Sequence, residues 1–171
     1  LSVIDNGPAP ELQHRAPPPP PPPPAPTAEE QLRKVEGFLQ DEIDDGLIEV
    51  FEKTNLLVIR IAGSGMFGSG SDALKSEFTE PLQRVANSLN DEKGKVIIVG
   101  HSDNVPIRTA RFPNNTALSL ARAQSVMNSL KNNFDDPDRL SAEGRADKEP
   151  LDTANTRAAR AKNRRIEVIL V

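Results

Sequence analysis

"KVIIVGHSDNVPIRTARFPNNTALSLARAQSV", residues 95–126, carries most of the information about this chain in one stretch. Its opening, "KVIIVGH", is a short β-branched run suited to a buried strand. Its far end enters a helix over about 116–133, with Leu120, Ala123, Val126, Met127, Leu130 and Phe134 on the buried side. Between strand and helix stand His101, Ser102 and Asp103, the residue types of a serine-hydrolase triad.

A triad of three consecutive residues is geometrically poor. In an extended segment adjacent side chains point to opposite faces, so His101 and Ser102 cannot both address one substrate atom. Ser102 also lacks the flanking glycines of a strand-to-helix nucleophile turn, having only Gly100. A metal centre needs at least three converging ligands, and the one other histidine, His14, lies in a proline-rich arm. No metal, cofactor or catalytic residue is therefore expected, and His101 reads as a packed strand end. Charge recognition remains. Asp103 follows the strand, where α/β sheets place ligand-contacting groups. Arg122 comes nineteen residues later, on the helical face shared with Leu118 and Ser125. A carboxylate and a guanidinium lining one cleft suit a zwitterion, the acid accepting from an ammonium and the arginine gripping a carboxylate. An ordinary internal salt bridge explains the same residues, and on pattern alone both readings stay open.

Outward from this centre the chain alternates. "EEQLRKVEGFLQDEIDDG" places Leu32, Val35, Leu39 and Ile43 at helical spacing, with Gly46 as C-cap. "LIEVFEKTNLLVIRIAG" reads as two β segments joined by a turn at 53–55. "GSGMFGSGS" (63–71) lacks the Gly-Lys-Ser/Thr ending of a phosphate loop and reads as a glycine bend tucking Phe67 inward. Leu74, Phe78, Leu82, Val85 and Leu89 form an amphipathic stripe, with Pro81 in the first turn after a Thr79 cap or at a kink. "RLSAEGRA" (139–146) and "RRIEVILV" (164–171) are strands. The alternation argues for an α/β sandwich with helices on one face of a sheet.

Eleven of the sixteen prolines lie in residues 1–26, including the unbroken run Pro17–Pro24. Such a run forms neither helix nor sheet, and a polyproline II rod of about 3.1 Å per residue makes 1–28 read as a spacer, with a ligand for an aromatic-lined groove as the rival. The chain opens on Leu1 rather than Met, which leads us to expect a preceding segment. No apolar run reaches the roughly 18 residues of a membrane span. Net charge is −4, which argues against nucleic acid as partner despite the cluster Arg157, Arg160, Lys162, Arg164 and Arg165; that cluster reads as a solvated or carboxylate-facing surface. Absence of cysteine excludes disulfides and thiolate chemistry.

Taken together, "VGHSDN", "NTALSLARAQSV", "LSAEGRADKEPL" and "AKNRRIEVIL" resemble, in order, the motifs of the OmpA-like (OmpA/MotB) peptidoglycan-binding family over about 56–171. The resemblance implies an α/β (α+β) sandwich of βαβαβ type, a mixed sheet of about four strands with helices on one face. It further implies non-catalytic binding of the diaminopimelate of the peptidoglycan stem, with Asp103 as key acid and Arg122 as key arginine. Asn115, Leu118 and Arg164 match other motif positions. The loop "NVPIRTARFPNN" and the segment 38–74 are most similar to the periplasmic C-terminal domain of long-form TssL of the type VI secretion system. Thr116 departs from the Trp usual in those relatives. The resemblance implies 1–28 as linker, 29–46 as leading helix and 47–171 as the OmpA-like domain. It also implies a periplasmic place in a Gram-negative inner-membrane protein, attached through an upstream transmembrane helix. Implied partners are peptidoglycan and other secretion-complex subunits, with a homodimer allowed. A wall-free assembly module and a MotB-like flagellar stator are the alternatives.

Overall fold

The hairpin and the C-terminal strand that the sequence predicts become neighbours in one five-stranded mixed sheet. The computed structural model describes residue 7 and residues 15–171; the rest of the expected linker lies outside the described residues. Strands β1 (Ile48–Lys53) and β2 (Leu56–Ala62) form an antiparallel hairpin. Strands β3 (Val96–His101) and β4 (Leu140–Ala146) run parallel, and β5 (Arg165–Leu170) lies between the two pairs, antiparallel to both β2 and β3. The order β1-β2-β5-β3-β4 has one strand more than the about four expected, the hairpin at 47–63 supplying two of them.

The hairpin turn is two residues long. Thr54 and Asn55 both adopt left-handed backbone angles, φ 54° and 61°, as a type I′ turn requires. In β5 the alternation is complete: Ile166, Val168 and Leu170 enter the main core, while Arg165 and Glu167 belong to the opposite face.

Helices α1 (Ala28–Phe38), α3 (Thr79–Asn90) and α4 (Asn115–Lys131) supply Val35, Leu82, Val85, Leu89, Val126 and Leu130 to that core. A capping box between Thr27 and Glu30 starts α1. The single helix expected at 29–46 is in fact two, broken at the fully buried Leu39 before α2 (Gln40–Asp44). An arginine from α3 takes part in the break, since Arg84 Nη2 donates to the Phe38 carbonyl at 2.7 Å. Gly46 (φ +73°) ends the segment as expected. The expected stripe from Leu74 also changes. Leu74 bridges to Phe67 across the glycine bend, Phe78 sits in a 3-10 turn, and α3 begins at Thr79 without a side-chain cap, Pro81 falling in its first turn.

Helix α4 lies hard against β3 and β4 because two glycines make room. A Cβ on Gly100 would fall 2.1 Å from the Ser119 carbonyl oxygen, and one on Gly144 would fall 2.6 Å from Leu120 N. This contact fixes the N-terminal half of α4 beside the end of β3. Helix α5 (Arg157–Asn163), capped by Thr156, leads directly into β5. No described helix is long and apolar enough to cross a membrane.

Candidate functional site

A cleft of about 480 Å³ opens where β2 and β3 end and β5 begins. Its floor comes from the β3–α4 connection and its rim from the glycine bend and α5. All five residues singled out in the sequence line it: Asp103, Asn115, Leu118, Arg122 and Arg164. Arg157 and Arg160 of α5 line it as well. The structure thus brings together residues from four separate sequence segments.

Asp103 is held from two sides. Its Oδ2 accepts from Arg164 Nη1 at 2.6 Å, and its Oδ1 accepts from Val105 N at 3.0 Å in a turn closed by the side chain. Asn115 Nδ2 donates to the Val105 carbonyl at 2.8 Å, so the first residue of α4 anchors the loop that carries Asp103. Leu118 is buried under the cleft. Ser102 is buried as well, its N donating to the Ala146 carbonyl at 2.8 Å and its hydroxyl to the Asp103 carbonyl at 2.9 Å.

Arg122 does not pair with Asp103. Its Nε donates to the Ser71 carbonyl at 2.8 Å, its Nη2 to the Gly68 carbonyl at 3.1 Å, and its guanidinium lies 5.2 Å from the Phe67 ring centre. Phe67 is tucked inward, as the glycine bend suggested. Ser125 Oγ adds a 2.7 Å bond to the Asp72 carbonyl, and Arg111 grips the Asp72 carboxylate at 2.9 and 3.0 Å. Helix α4 and the long loop therefore clamp the segment 63–75 over the cleft. Burial lowers the Arg122 pKa, and the nearby Arg164 charge lowers it further, while Asp103 and Asp72 pull the other way.

Among the described residues Asp103 is the single carboxylate lining the cleft, against Arg122, Arg157, Arg160 and Arg164. With two of its four lone-pair sites in use, it can still accept from an ammonium. Arg122 keeps three of its five N–H groups for a carboxylate. Among the described residues no group of three or more His, Asp or Glu could hold a metal.

His101 faces the other side of the sheet. It is buried, with Nε2 2.8 Å from Glu167 Oε1 in a close but bent contact, and Nδ1 has no partner among the described residues. Burial by itself would raise the Glu167 pKa. The contact with His101 and the charges of Arg165, His101 and Arg60 outweigh it and hold the carboxyl at about 2. Arg165 donates from Nε to Glu167 at 3.1 Å and from Nη2 to the Glu149 carbonyl at 2.9 Å. This corrects the grouping of Arg165 with a solvated cluster: it sits one residue past Arg164, and the strand alternation sends it into a buried network.

The profile of the OmpA family matches residues 66–164, more than half of the chain. The chain belongs to the OmpA family. As an OmpA-family module it is not an enzyme. A solved structure of the cell wall anchor of the type VI secretion system from Pseudomonas aeruginosa is 40% identical, covering 81% of this chain and 97% of that one, with TM-score 0.75. Motility protein B of Bacillus subtilis is 32% identical over 81% of this chain, and outer membrane protein Omp38 of Acinetobacter baumannii 34% identical over 58%. The aligned parts span 54% and 28% of those two relatives. The periplasmic domain of Helicobacter pylori MotB, 21% identical with TM-score 0.64 over 71% of this chain and 77% of that one, shares the fold.

Within this OmpA-family cleft, sequence reasoning missed the carbonyls of Gly68 and Ser71 as partners of Arg122. No side-chain pattern advertises a backbone acceptor. It also read Arg157 and Arg160 only as part of a solvated or carboxylate-facing surface, without placing them at the cleft; their three-residue spacing on a short helix just before Arg164 was the available signal. Thr116, the departure from related sequences, is exposed and does not line the cleft.

Proposed function

We propose that this OmpA-family domain binds peptidoglycan without catalysis and anchors a type VI secretion inner-membrane complex to the cell wall. The observation that carries the reading is the 40% identity to a type VI secretion cell wall anchor across 97% of that structure. The ligand group is the diaminopimelate of the stem peptide. Asp103 accepts from its ammonium, and the free N–H groups of Arg122 hold its carboxylate. Arg164 keeps Asp103 aimed into the cleft through their 2.6 Å bond. Asn115 shapes the loop, and Leu118 packs beneath it. The domain sits in the periplasm, reached through an upstream transmembrane helix, with other secretion-complex subunits as its protein partners.

Sedimentation with purified sacculi tests this. The wild-type domain should co-sediment, and Asp103→Ala and Arg122→Ala should each lose on the order of 2–5 kcal/mol of binding. Unchanged retention of both variants would remove the pocket from the account.

A second reading, an assembly module with little wall binding, draws on the self-satisfied state of the cleft. Asp103 is already paired with Arg164, and Arg122 with its own loop carbonyls. Wild-type protein that stays in the supernatant yet copurifies with sister subunits would favour it.

A further inference from the structure

The charge lining the cleft does not match a simple zwitterion. Four arginines face one aspartate, in a chain whose overall charge is −4. Asp103 neutralises Arg164 at 2.6 Å, and one ligand carboxylate on Arg122 balances one more cation. Arg157 and Arg160 are left over. They stand three residues apart on α5, so both reach the same side of the cleft. Arg160 donates to the Asn155 amide oxygen at 3.2 Å, a neutral partner, and Arg157 makes no hydrogen bond or ion pair among the described residues. Other cations of the cluster are accounted for: Lys162 lies 3.9 Å from Asp152, and Arg165 is tied to Glu167. Two guanidiniums lacking acids, on the rim of an open cleft already rich in positive charge, repel one another and their neighbours until an anion enters.

We infer that Arg157 and Arg160 form a second anion subsite, which makes the cleft selective for ligands carrying a further free carboxylate beside the zwitterionic group. The inference rests on the stem-peptide reading above and deepens it. In a stem peptide the candidate groups are the α-carboxylate of the γ-linked glutamate and the second carboxylate of diaminopimelate. The second carboxylate lies across the methylene chain of the same diaminopimelate and is free where the stem ends there; the glutamate carboxylate lies beyond the peptide bond at that far centre. Guanidinium is suited to the task, since its planar fork binds a carboxylate by two parallel bonds. Amidation of that carboxylate removes the charge and one acceptor oxygen while leaving the size almost unchanged. The subsite therefore reads the amidation state of the peptide, whereas Asp103 and Arg122 read the zwitterion.

The test is calorimetric titration of the domain with three synthetic tripeptides of alanine, γ-glutamate and diaminopimelate. One has all carboxylates free, one has the glutamate carboxylate amidated, and one has the second diaminopimelate carboxylate amidated. Wild-type protein should bind the free form about 10-fold more tightly than at least one amidated form, with a steeper salt dependence. Arg157→Gln/Arg160→Gln should bind the free and amidated forms alike, at the wild-type affinity for the amidated one. Both side chains lie at the surface or half-buried, and a thermal melt checks that the double variant folds. Equal wild-type affinity for all three peptides overturns the subsite while leaving the stem-peptide reading standing. A preference that persists in the double variant also overturns it. Wild-type protein that binds none of them overturns the stem-peptide reading and this inference with it.

Discussion

Arg164 Nη1 stands 2.6 Å from Asp103 Oδ2, across 61 residues of sequence. The pair joins the end of β3 to the residue that precedes β5, so the charge of the cleft and the closure of the sheet share one contact. Asp103→Asn keeps an acceptor for Val105 N but removes the carboxylate that lines the cleft and pairs with Arg164. We expect it to abolish sacculus retention and to lower stability by about 1–2 kcal/mol, the pair being partly solvated. Urea unfolding and co-sedimentation on the same preparation check both effects.

Arg122 holds the segment 63–75 through two backbone carbonyls and the Phe67 ring. Arg122→Lys preserves the charge but cannot make the forked contacts. Hydrogen exchange at 66–75 should accelerate in Arg122→Lys and Arg122→Ala alike. Exchange in β5 should stay unchanged in both.

Gly100 touches α4 so closely that a methyl group there meets the Ser119 carbonyl oxygen at 2.1 Å. Gly100→Ala must push the helix off the sheet and displace Asn115 and Arg122 with it. We expect a destabilisation of about 1–3 kcal/mol and weakened ligand binding. Denaturant midpoints give the first quantity, and peptide titration the second.

Thr54 occupies a left-handed position at φ 54°, costly for a β-branched residue. Replacing the turn by Thr54→Asn with Asn55→Gly supplies the preferred type I′ pair. The double variant should gain about 1 kcal/mol with no change in binding, measured by thermal melts and titration.

Glu167 titrates at about 2 in the folded chain, below its ordinary 4.5. A depressed carboxylate contributes stability that is present above pH 4.5 and is lost as the pH falls toward 2. The shift corresponds to about 3 kcal/mol. Glu167→Gln should therefore be less stable than wild type at pH 7, and the two should converge near pH 2. Urea midpoints across that range decide it.

Much of the fold was legible because it is local. The two β segments at 47–63, the strand "KVIIVGH", the α4 stripe and the alternating C-terminal strand follow from periodicity and side-chain type, which the chain carries residue by residue. Where the reading failed, a distant group intervened. The 29–46 helix breaks at Leu39 beside a contact from Arg84, and α3 starts only at Thr79, with Leu74 drawn into a bridge to Phe67. Of the site, the sequence and its family resemblance picked out Asp103, Asn115, Leu118, Arg122 and Arg164, and all five line one cleft. Only the tertiary structure decided who holds whom. Asp103 takes Arg164 rather than Arg122, because β5 enters the sheet beside β3 and delivers Arg164 to the strand end. Arg122 is left to the carbonyls of the glycine bend, and Arg157 and Arg160 are carried to the rim by α5. Such pairings depend on which strands become neighbours, and that choice rests on burial summed over the whole core.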